Sequence, residues 1–334
     1  LAAALLALSP AVAAEAPARP NVVVILADDL GWTDLGGFGS DLHETPVLDR
    51  LAREGMTFHR AYAEPQCTPT RGAFFSGQWP ARTGMFAVTH EMDPFAAPLT
   101  PPPHAMVMPP ATASLALMLR AAGYATGLSG KWHIADNYNA APLRARDGGK
   151  YFDRYGFDFV GSGEGTVGAN ILKDDPYYRA KSSALFVDEG LTFIEGRGEK
   201  PFYLQLWMLI PHATLNPTPE QMEPFKRFSN ADLPHKSART IYYASVNSLD
   251  QEIGRLMQEL EKRGLADNTI VIFTSDHGYH LGEHDFWAKV SLLDTRKLAE
   301  LADGGIKDLN DYLRLAKSGT YSQLPPVPTL LSNF

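Results

Sequence analysis

Short apolar runs are the clearest pattern along this chain, and they predict its strands. The runs at residues 21–27, 124–129, 201–209 and 269–275 are nearly continuous in hydrophobic side chains. Strands of this kind are typical of parallel sheets with both faces covered, whereas half-exposed strands alternate between apolar and polar side chains. A fifth run, residues 56–62, is weaker. We therefore expect these runs to form a mostly parallel sheet.

Helical patterns lie between the strands. Residues 45–54 begin with Thr45 and Pro46, a favoured N-cap and first-turn pair, and they stop before a glycine. Residues 112–122 also stop before a glycine, and residues 239–263 carry one apolar face. Because strands alternate with helices, the sequence predicts an α/β fold with helices on both faces of the sheet.

The two ends of the chain differ from its middle. Residues 1–16, LAAALLALSPAVAAEA, are similar to the apolar core and cleavage site of a secretory signal peptide, which predicts an exported protein. The alternative is a disordered alanine-rich tail. The run is too short to span a bilayer, so we expect no integral membrane segment. Residues 17–289 form the expected globular domain, and residues 290–334 carry a helical pattern at 291–317 and a proline-rich tail.

Composition argues against one class of partner and one kind of crosslink. The 334 residues carry a formal net charge of -8, whereas phosphate backbones select basic surfaces, so we expect no nucleic-acid partner. Cys67 is the single cysteine, which excludes an intrachain disulfide. A lone cysteine is more often a buried small hydrophobe than a nucleophile, so its sequence neighbours have to decide its role.

Acidic residues follow the first and the last of the clear strands. Asp28 and Asp29 come directly after the first, and Asp276 and His277 come directly after the last. Ligands of open α/β sheets gather at the carboxyl ends of strands, where these side chains could converge on one hard cation. An aspartate after a strand is also a common turn or helix cap, so both interpretations stay open.

The single cysteine lies in a distinctive motif. Residues 66–77 read QCTPTRGAFFSG and contain the pattern C-x-P-x-R. Together with this motif, other segments resemble those of one known family in their order and character: residues 21–37 (NVVVILADDLGWTDLGG), 130–133 (GKWH), 211–212 (PH), 274–278 (TSDHG) and 282–289 (GEHDFWAK). From residue 21 to residue 289 the chain thus resembles the sulfatases, which have an alkaline-phosphatase-like fold.

This resemblance implies a modified nucleophile and a metal ion. In the family, a separate formylglycine-generating or sulfatase-maturing enzyme oxidises the motif cysteine, so Cys67 would become formylglycine. One hydroxyl of its hydrate would attack sulfur, and the other would then expel sulfate. One calcium ion would be held by Asp28, Asp29, Asp276 and His277 together with the modified residue 67. Histidine is the least typical of these ligands, because many members have Asn or Gln there.

The resemblance also implies roles for cationic and histidine side chains. Arg71, one helical turn after the cysteine, would orient the nucleophile, and Lys131 and Lys289 would bind the sulfate oxygens. His133 would be the base that opens the sulfo-enzyme, and His212 would protonate the leaving alcohol. Taken singly, such residues are more often solvated lysines and hydrogen-bonded loop histidines. The expected substrate is a small-molecule or saccharide sulfate ester.

Other interpretations stay open. Residues 280–284, HLGEH, match the inverted zinc-peptidase pattern H-x-x-E-H, which needs a helix that Gly282 disfavours. Relatives that share the formylglycine site also hydrolyse phosphodiesters and phosphonate monoesters. Finally, residues 290–334 do not resemble the family's continuation, which leaves an inactive, incomplete chain without most of the C-terminal subdomain as another interpretation.

Overall fold

The computed structural model describes most of the chain between residues 19 and 288. The described ranges are 19–40, 42–88, 103–109, 111–135, 150–161, 175–213, 215–230, 236–281 and 287–288. The predicted signal peptide at 1–16, the segment 290–334 and Lys289 lie outside them.

A parallel sheet forms the centre of the described structure. Its strands are β1 (Asn21–Asp28), β2 (Ala125–Gly130), β3 (Phe159–Val160), β4 (Phe202–Pro211) and β5 (Thr269–Ser275). Their order across the sheet is β3-β2-β4-β1-β5, and every pair is parallel. The four clear strands of the sequence pattern are confirmed, with bounds shifted by at most two residues. Because all strands run the same way, the carboxyl ends of β1, β2, β4 and β5 share one edge.

Helices cover both faces of this sheet. They are α1 (Pro46–Glu54), α2 (Cys67–Ser76), α3 (Pro80–Thr83), α4 (Leu115–Ala121), α5 (Tyr178–Gly196), α6 (Pro219–Met222) and α7 (Lys236–Lys262). A 3₁₀ segment at Glu223–Asn230 lies between α6 and α7. The predicted helix at 112–122 is shorter than expected. It begins at Leu115 because the Ser114 hydroxyl caps it by accepting the Leu117 N–H at 3.1 Å.

The alternation of side chains along β1 divides the core into two layers. Val23 and Ile25 pack with α5 and α7 on one face, whereas Val24 and Leu26 pack with α2 and a group of aromatic side chains on the other. All four side chains are fully buried. The expectation of a sheet covered on both faces is therefore confirmed.

One expectation from the sequence was wrong, and one alternative interpretation loses support. Residues 56–62 form no strand, and Met56, Phe58 and Tyr62 are exposed, because this apolar run lies on the surface between α1 and α2. His280 lies in β6 (His280–Leu281), which pairs antiparallel with β7 (Trp287–Ala288). The H-x-x-E-H interpretation needs a helix that includes residue 280, whereas the structure places residue 280 in a strand, and residues 282–284 lie outside the described residues.

None of the helices in the described part of the chain is long and apolar enough to cross a bilayer.

Candidate active site

The carboxyl ends of four strands bring the predicted site residues to one edge of the sheet. Asp28 ends β1 beside Pro211 of β4, and Ala27 pairs with Ser275 of β5. The side chains at or just beyond these strand ends are Asp28 and Asp29 at β1, Lys131 and His133 after β2, His212 after β4, and Asp276 and His277 after β5. The sheet thus unites residues that lie far apart in the sequence.

The loop after β1 is held by hydrogen bonds from the neighbouring strand. Asp29 has a φ of 67°, a left-handed conformation that is uncommon for residues other than glycine. Its N–H donates to Oδ1 of Asp276 at 3.0 Å, and the next N–H, of Leu30, donates to the Ser275 hydroxyl at 2.9 Å. The end of β5 therefore stabilises the backbone turn that places two adjacent carboxylates in the site.

The turn after β2 depends on Gly130. Its φ is 104°, and a Cβ at this position would lie 1.9 Å from the Trp207 carbonyl oxygen of β4. The next residue, Lys131, donates its N–H to that same oxygen at 2.8 Å. Lys131 is 4% exposed, and its ammonium donates to Oδ2 of Asp28 at 2.7 Å. The close backbone approach thus directs a lysine into the acidic cluster.

Cys67 is the first residue of α2 and is fully buried. Its Sγ lies 3.2 Å from Nδ1 of His133, which itself has a left-handed φ of 57°. The Thr68 hydroxyl donates to the His133 carbonyl at 3.0 Å, and the Thr70 hydroxyl donates to the Asp276 carbonyl at 2.8 Å. These threonines attach the first turn of α2 to the ends of β2 and β5. The helix N-terminus also favours negative charge at the sulfur position.

Arg71 lies on the same side of α2, one turn after the cysteine, and is fully buried. Its Nε donates to Oδ2 of Asp276 at 2.7 Å, and one terminal nitrogen lies 3.4 Å from Oδ1 of Asp28. Its guanidinium also stacks over the Trp207 ring, 5.0 Å from the centroid. Burial lowers the pKa of Arg71, but the nearby carboxylates outweigh this and raise it. Arg71 therefore stays charged.

The carboxylates repel one another and are kept from water. Burial raises the pKa of Asp276, the positive charge of Arg71 opposes that rise, and the negative charges of Asp28 and Asp29 add to it. Two sets of donor atoms lie within 4.8 Å of one another, namely those of Asp28, Cys67 and Asp276 and those of Asp28, Asp29 and His212. The site is therefore a buried acidic cluster whose donor atoms are spaced closely enough to hold a metal ion.

His212 and His277 each donate from Nδ1 to the carbonyl of the next residue, but they face Asp29 with different nitrogens. His212 lies with Nε2 3.7 Å from Oδ2 of Asp29, and its Nδ1 donates to the Ala213 carbonyl at 2.5 Å. His277 donates from Nδ1 to the Gly278 carbonyl at 2.7 Å, and that nitrogen lies 3.9 Å from Oδ1 of Asp29. His212, expected as an acid, thus belongs to one of the close donor sets, whereas His277, expected as a ligand, belongs to neither.

Sequence reasoning missed residues that support this site. Trp207 lies under Arg71, and Thr70 attaches α2 to β5. Asp34 accepts a hydrogen bond from the Tyr242 hydroxyl at 2.6 Å. No local pattern marks these contacts, because the partners lie between 136 and 208 positions apart, as the Arg71–Trp207 and Asp34–Tyr242 pairs illustrate.

Comparison with known proteins decides the family. The family model described as Sulfatase matches residues 20–330. The chain belongs to the sulfatase family. Arylsulfatase of Hemicentrotus pulcherrimus is 30% identical over 287 residues, which cover 78% of this sulfatase chain and 48% of the relative. Human N-acetylgalactosamine-6-sulfatase is 31% identical over 293 residues, which cover 80% of this chain and 51% of the relative. The chain therefore spans about half the length of these curated relatives.

Solved structures agree on the fold of this sulfatase. A crystal structure of Ps i-CgsB in complex with k-i-k-neocarrahexaose matches with a TM-score of 0.60 and 25% identity, covering 80% of this chain and 60% of that one. The phosphonate monoester hydrolase of Agrobacterium radiobacter matches with a TM-score of 0.59 and 20% identity, covering 82% and 65%. The expected alkaline-phosphatase-like α/β fold is confirmed.

Proposed function

We propose that this chain hydrolyses sulfate esters, with formylglycine at residue 67 as nucleophile and one calcium ion in the acidic cluster. The observation that carries the proposal is the position of Cys67. It begins a helix, lies 3.2 Å from a histidine nitrogen and shares a close donor set with two aspartates. A nucleophile next to a base and beside cationic groups is the arrangement that covalent catalysis needs.

Residue 67 and His133 would act together. As formylglycine, residue 67 would supply a hydrated aldehyde with one hydroxyl to attack sulfur and one to release sulfate. His133 is buried beside this position, so it is suited to take the proton whose loss opens the sulfo-enzyme. The Thr68 bond to the His133 carbonyl fixes the spacing between the two residues.

The cations and His212 would act on the ester. Arg71 is held by the carboxylates and the Trp207 ring, so it would orient the nucleophile rather than follow the substrate. Lys131 would bind sulfate oxygens from its buried position, and Lys289, which lies outside the described residues, is proposed for the same task. His212 is 29% exposed at its side chain, which suits a group that protonates the leaving alcohol.

The donor set fits a hard divalent cation. Calcium prefers several oxygen ligands, and Asp28, Asp29 and Asp276 offer carboxylate oxygens from two adjacent strands. His277 donates from Nδ1 to a backbone carbonyl, the bond that directs Nε2 of a ligating histidine towards a metal. When bound, the ion would lower the cost of ionising the nucleophile and offset the charge of the ester. We therefore assign these four residues and residue 67 as ligands.

Sulfated saccharides are the proposed substrate class. Relatives include an N-acetylgalactosamine-6-sulfatase at 31% identity and a structure solved with a neocarrahexaose. We propose further that residues 1–16 direct export, that residues 17–289 form the catalytic domain, and that a formylglycine-generating or sulfatase-maturing enzyme modifies the chain.

Mass spectrometry tests the nucleophile. The chain is expressed with and without a formylglycine-generating enzyme, and the peptide that contains residue 67 is weighed. Conversion of the thiol to the aldehyde makes this peptide about 18 Da lighter, whereas sulfenic, sulfinic or sulfonic products would be heavier. A peptide that stays unmodified in the presence of the enzyme would contradict the nucleophile assignment.

Hydrolysis rates test the reaction class. We expect the converted chain to hydrolyse nitrophenyl sulfate, and we expect Cys67→Ala and the unconverted chain to be inactive. Cys67→Ser would be sulfated once without turnover, because serine lacks the second hydroxyl that expels sulfate. Faster hydrolysis of a phenylphosphonate ester than of the sulfate would assign the site to phosphorus chemistry instead.

A further inference from the structure

The loop that carries Asp29 is attached at three successive N–H groups. Those of Asp29 and Leu30 donate to Asp276 and Ser275 at the end of β5. The third, of Gly31, donates to Oδ2 of Asp34 at 3.1 Å, further along the same loop. A left-handed aspartate persists only where its surroundings hold it, because the conformation costs about 1–3 kcal/mol. The third bond is therefore part of what keeps Asp29 in place.

Asp34 is held in turn by α7. Its carboxylate is buried, and the same Oδ2 accepts a hydrogen bond from the Tyr242 hydroxyl at 2.6 Å. Tyr242 is 1% exposed, and burial together with the charge of Asp34 raises its pKa well above the ordinary value for tyrosine. The phenol thus remains a donor. Its ring also packs on Tyr279, with centroids 4.7 Å apart.

Gly31 allows the carboxylate to approach this closely. A Cβ at residue 31 would lie 2.6 Å from Oδ2 of Asp34, closer than carbon and oxygen can come without a bond. The loop backbone, Asp34 and Tyr242 therefore form a connected path from the buried face of α7 to the turn that presents Asp29.

We propose that Asp34 and Tyr242 are positioning residues that fix the Asp29 carboxylate in the geometry required by the cation. This inference rests on the proposed calcium site. Residues that hydrogen-bond behind the ligands of a metal commonly change its affinity by about 10–100-fold when they are replaced. Here the path runs through the backbone, since Asp34 holds Gly31 two residues after the ligand.

A rival explanation is that Asp34 attracts the cation by its charge. The two explanations predict different results for asparagine. Both hydrogen bonds are accepted by one oxygen, so an amide oxygen at that place can accept both without carrying charge. Asp34→Asn should therefore keep the calcium affinity if Asp34 acts by position, and should lose it as fully as Asp34→Ala if Asp34 acts by charge.

Calcium titration calorimetry on the full chain provides the first test. We expect Tyr242→Phe and Asp34→Ala to weaken calcium binding about tenfold or more and Asp34→Asn to stay close to the unmodified sequence. Tyr203→Phe is the matched control, because it removes another buried tyrosine hydroxyl that donates, at 2.8 Å, to Gln205 within β4. Equal calcium affinities for Tyr242→Phe and Tyr203→Phe would overturn the proposal, as would an Asp34→Asn loss equal to that of Asp34→Ala.

Hydrogen exchange without calcium provides the second test. At matched global stability, we expect the peptide spanning residues 29–31 to exchange faster in Tyr242→Phe than in Tyr203→Phe. Equal exchange in the two variants would overturn the positioning role. If the unmodified sequence binds no calcium, the cation assignment of the proposed function is wrong, and exchange of these amides still decides whether Asp34 and Tyr242 hold the loop.

Discussion

Replacing Arg71 by methionine removes a positive charge that stabilises the buried acidic cluster in the folded chain. The guanidinium is fully buried, donates to Asp276 at 2.7 Å and lies 3.4 Å from Asp28. Methionine keeps an unbranched apolar stem but leaves both carboxylates without this partner. Loss of one member of a buried ion pair costs about 3–5 kcal/mol, because the remaining charge is buried without full compensation. Domains are stable by about 5–15 kcal/mol, so this loss is large.

Urea unfolding followed by tryptophan fluorescence, with chelator present, measures the effect. We expect Arg71→Met to lower the free energy of unfolding by about 3–5 kcal/mol. Arg71→Lys keeps the charge without the two-pronged geometry of the guanidinium, so its loss should be intermediate. The matched control is Arg50→Met, since Arg50 is 44% exposed at its side chain and lies 4.0 Å from Glu261.

The control sets the scale that would refute this reasoning. An exposed ion pair contributes about 0–1 kcal/mol, so Arg50→Met should change stability by no more than that. If Arg71→Met costs no more than Arg50→Met, the buried guanidinium does not compensate the acidic cluster, and the electrostatic account of the site fails.

Other predictions concern backbone geometry and pH. Gly130→Ala should destabilise the fold by at least about 2 kcal/mol because its Cβ would lie 1.9 Å from a backbone oxygen, whereas Gly196→Ala, with nothing within 4 Å, should change stability by at most about 1 kcal/mol in the same urea assay. Burial and the charge of Arg239 lower the pKa of His43 to about 3, so the unfolded chain binds a proton that the folded chain excludes. Stability should therefore fall as pH drops below about 6.5, by up to about 1.4 kcal/mol per pH unit. In His43→Gln, the urea midpoint should depend less on pH between pH 7 and pH 4. Burial raises the pKa of Asp250 to about 6, so its carboxyl group holds a proton more tightly in the folded chain than in the unfolded chain. The contribution of Asp250 to stability should therefore fall as pH rises from about 4 to about 6, and Asp250→Asn should remove this pH dependence.

The sequence predicted helices that have one clearly apolar face and strands that are apolar along their whole length. Helix α5 escaped prediction because it packs against both the sheet and α7 with small residues such as Ser183 and Gly190. A Cβ on Gly190 would lie 3.0 Å from Leu204, so the helix approaches the sheet through a position that carries no hydrophobic signal. Met56 and Phe58 show the opposite case, since they are apolar but exposed.

The candidate site was predictable to the extent that strand ends define it. Asp28 and Asp276 follow hydrophobic runs that predict parallel strands, so the sequence placed both residues at one edge of the sheet, whereas the direct pairing of the two strands is seen only in the structure. The prediction that Cys67 belongs to the site depended on the resemblance of its motif to that of the sulfatases. The contact between Asp34 and Tyr242 could not be predicted from the sequence. The two residues are 208 positions apart, and they meet because of the way α7 packs on the sheet.

Charge balance links the proposed cation to the proposed substrate. Among the described side chains the cluster contains Asp28, Asp29 and Asp276 against Arg71 and Lys131, which leaves one net negative charge. Such a site repels an anionic ester, and a divalent cation reverses its sign. At about 5 Å and an effective dielectric of about 20, each unit charge interacts with a monoanion by about 3 kcal/mol, so the reversal favours a sulfate monoester by about 6 kcal/mol. The same buried carboxylates that would hold the cation therefore make binding of an anionic ester depend on that cation.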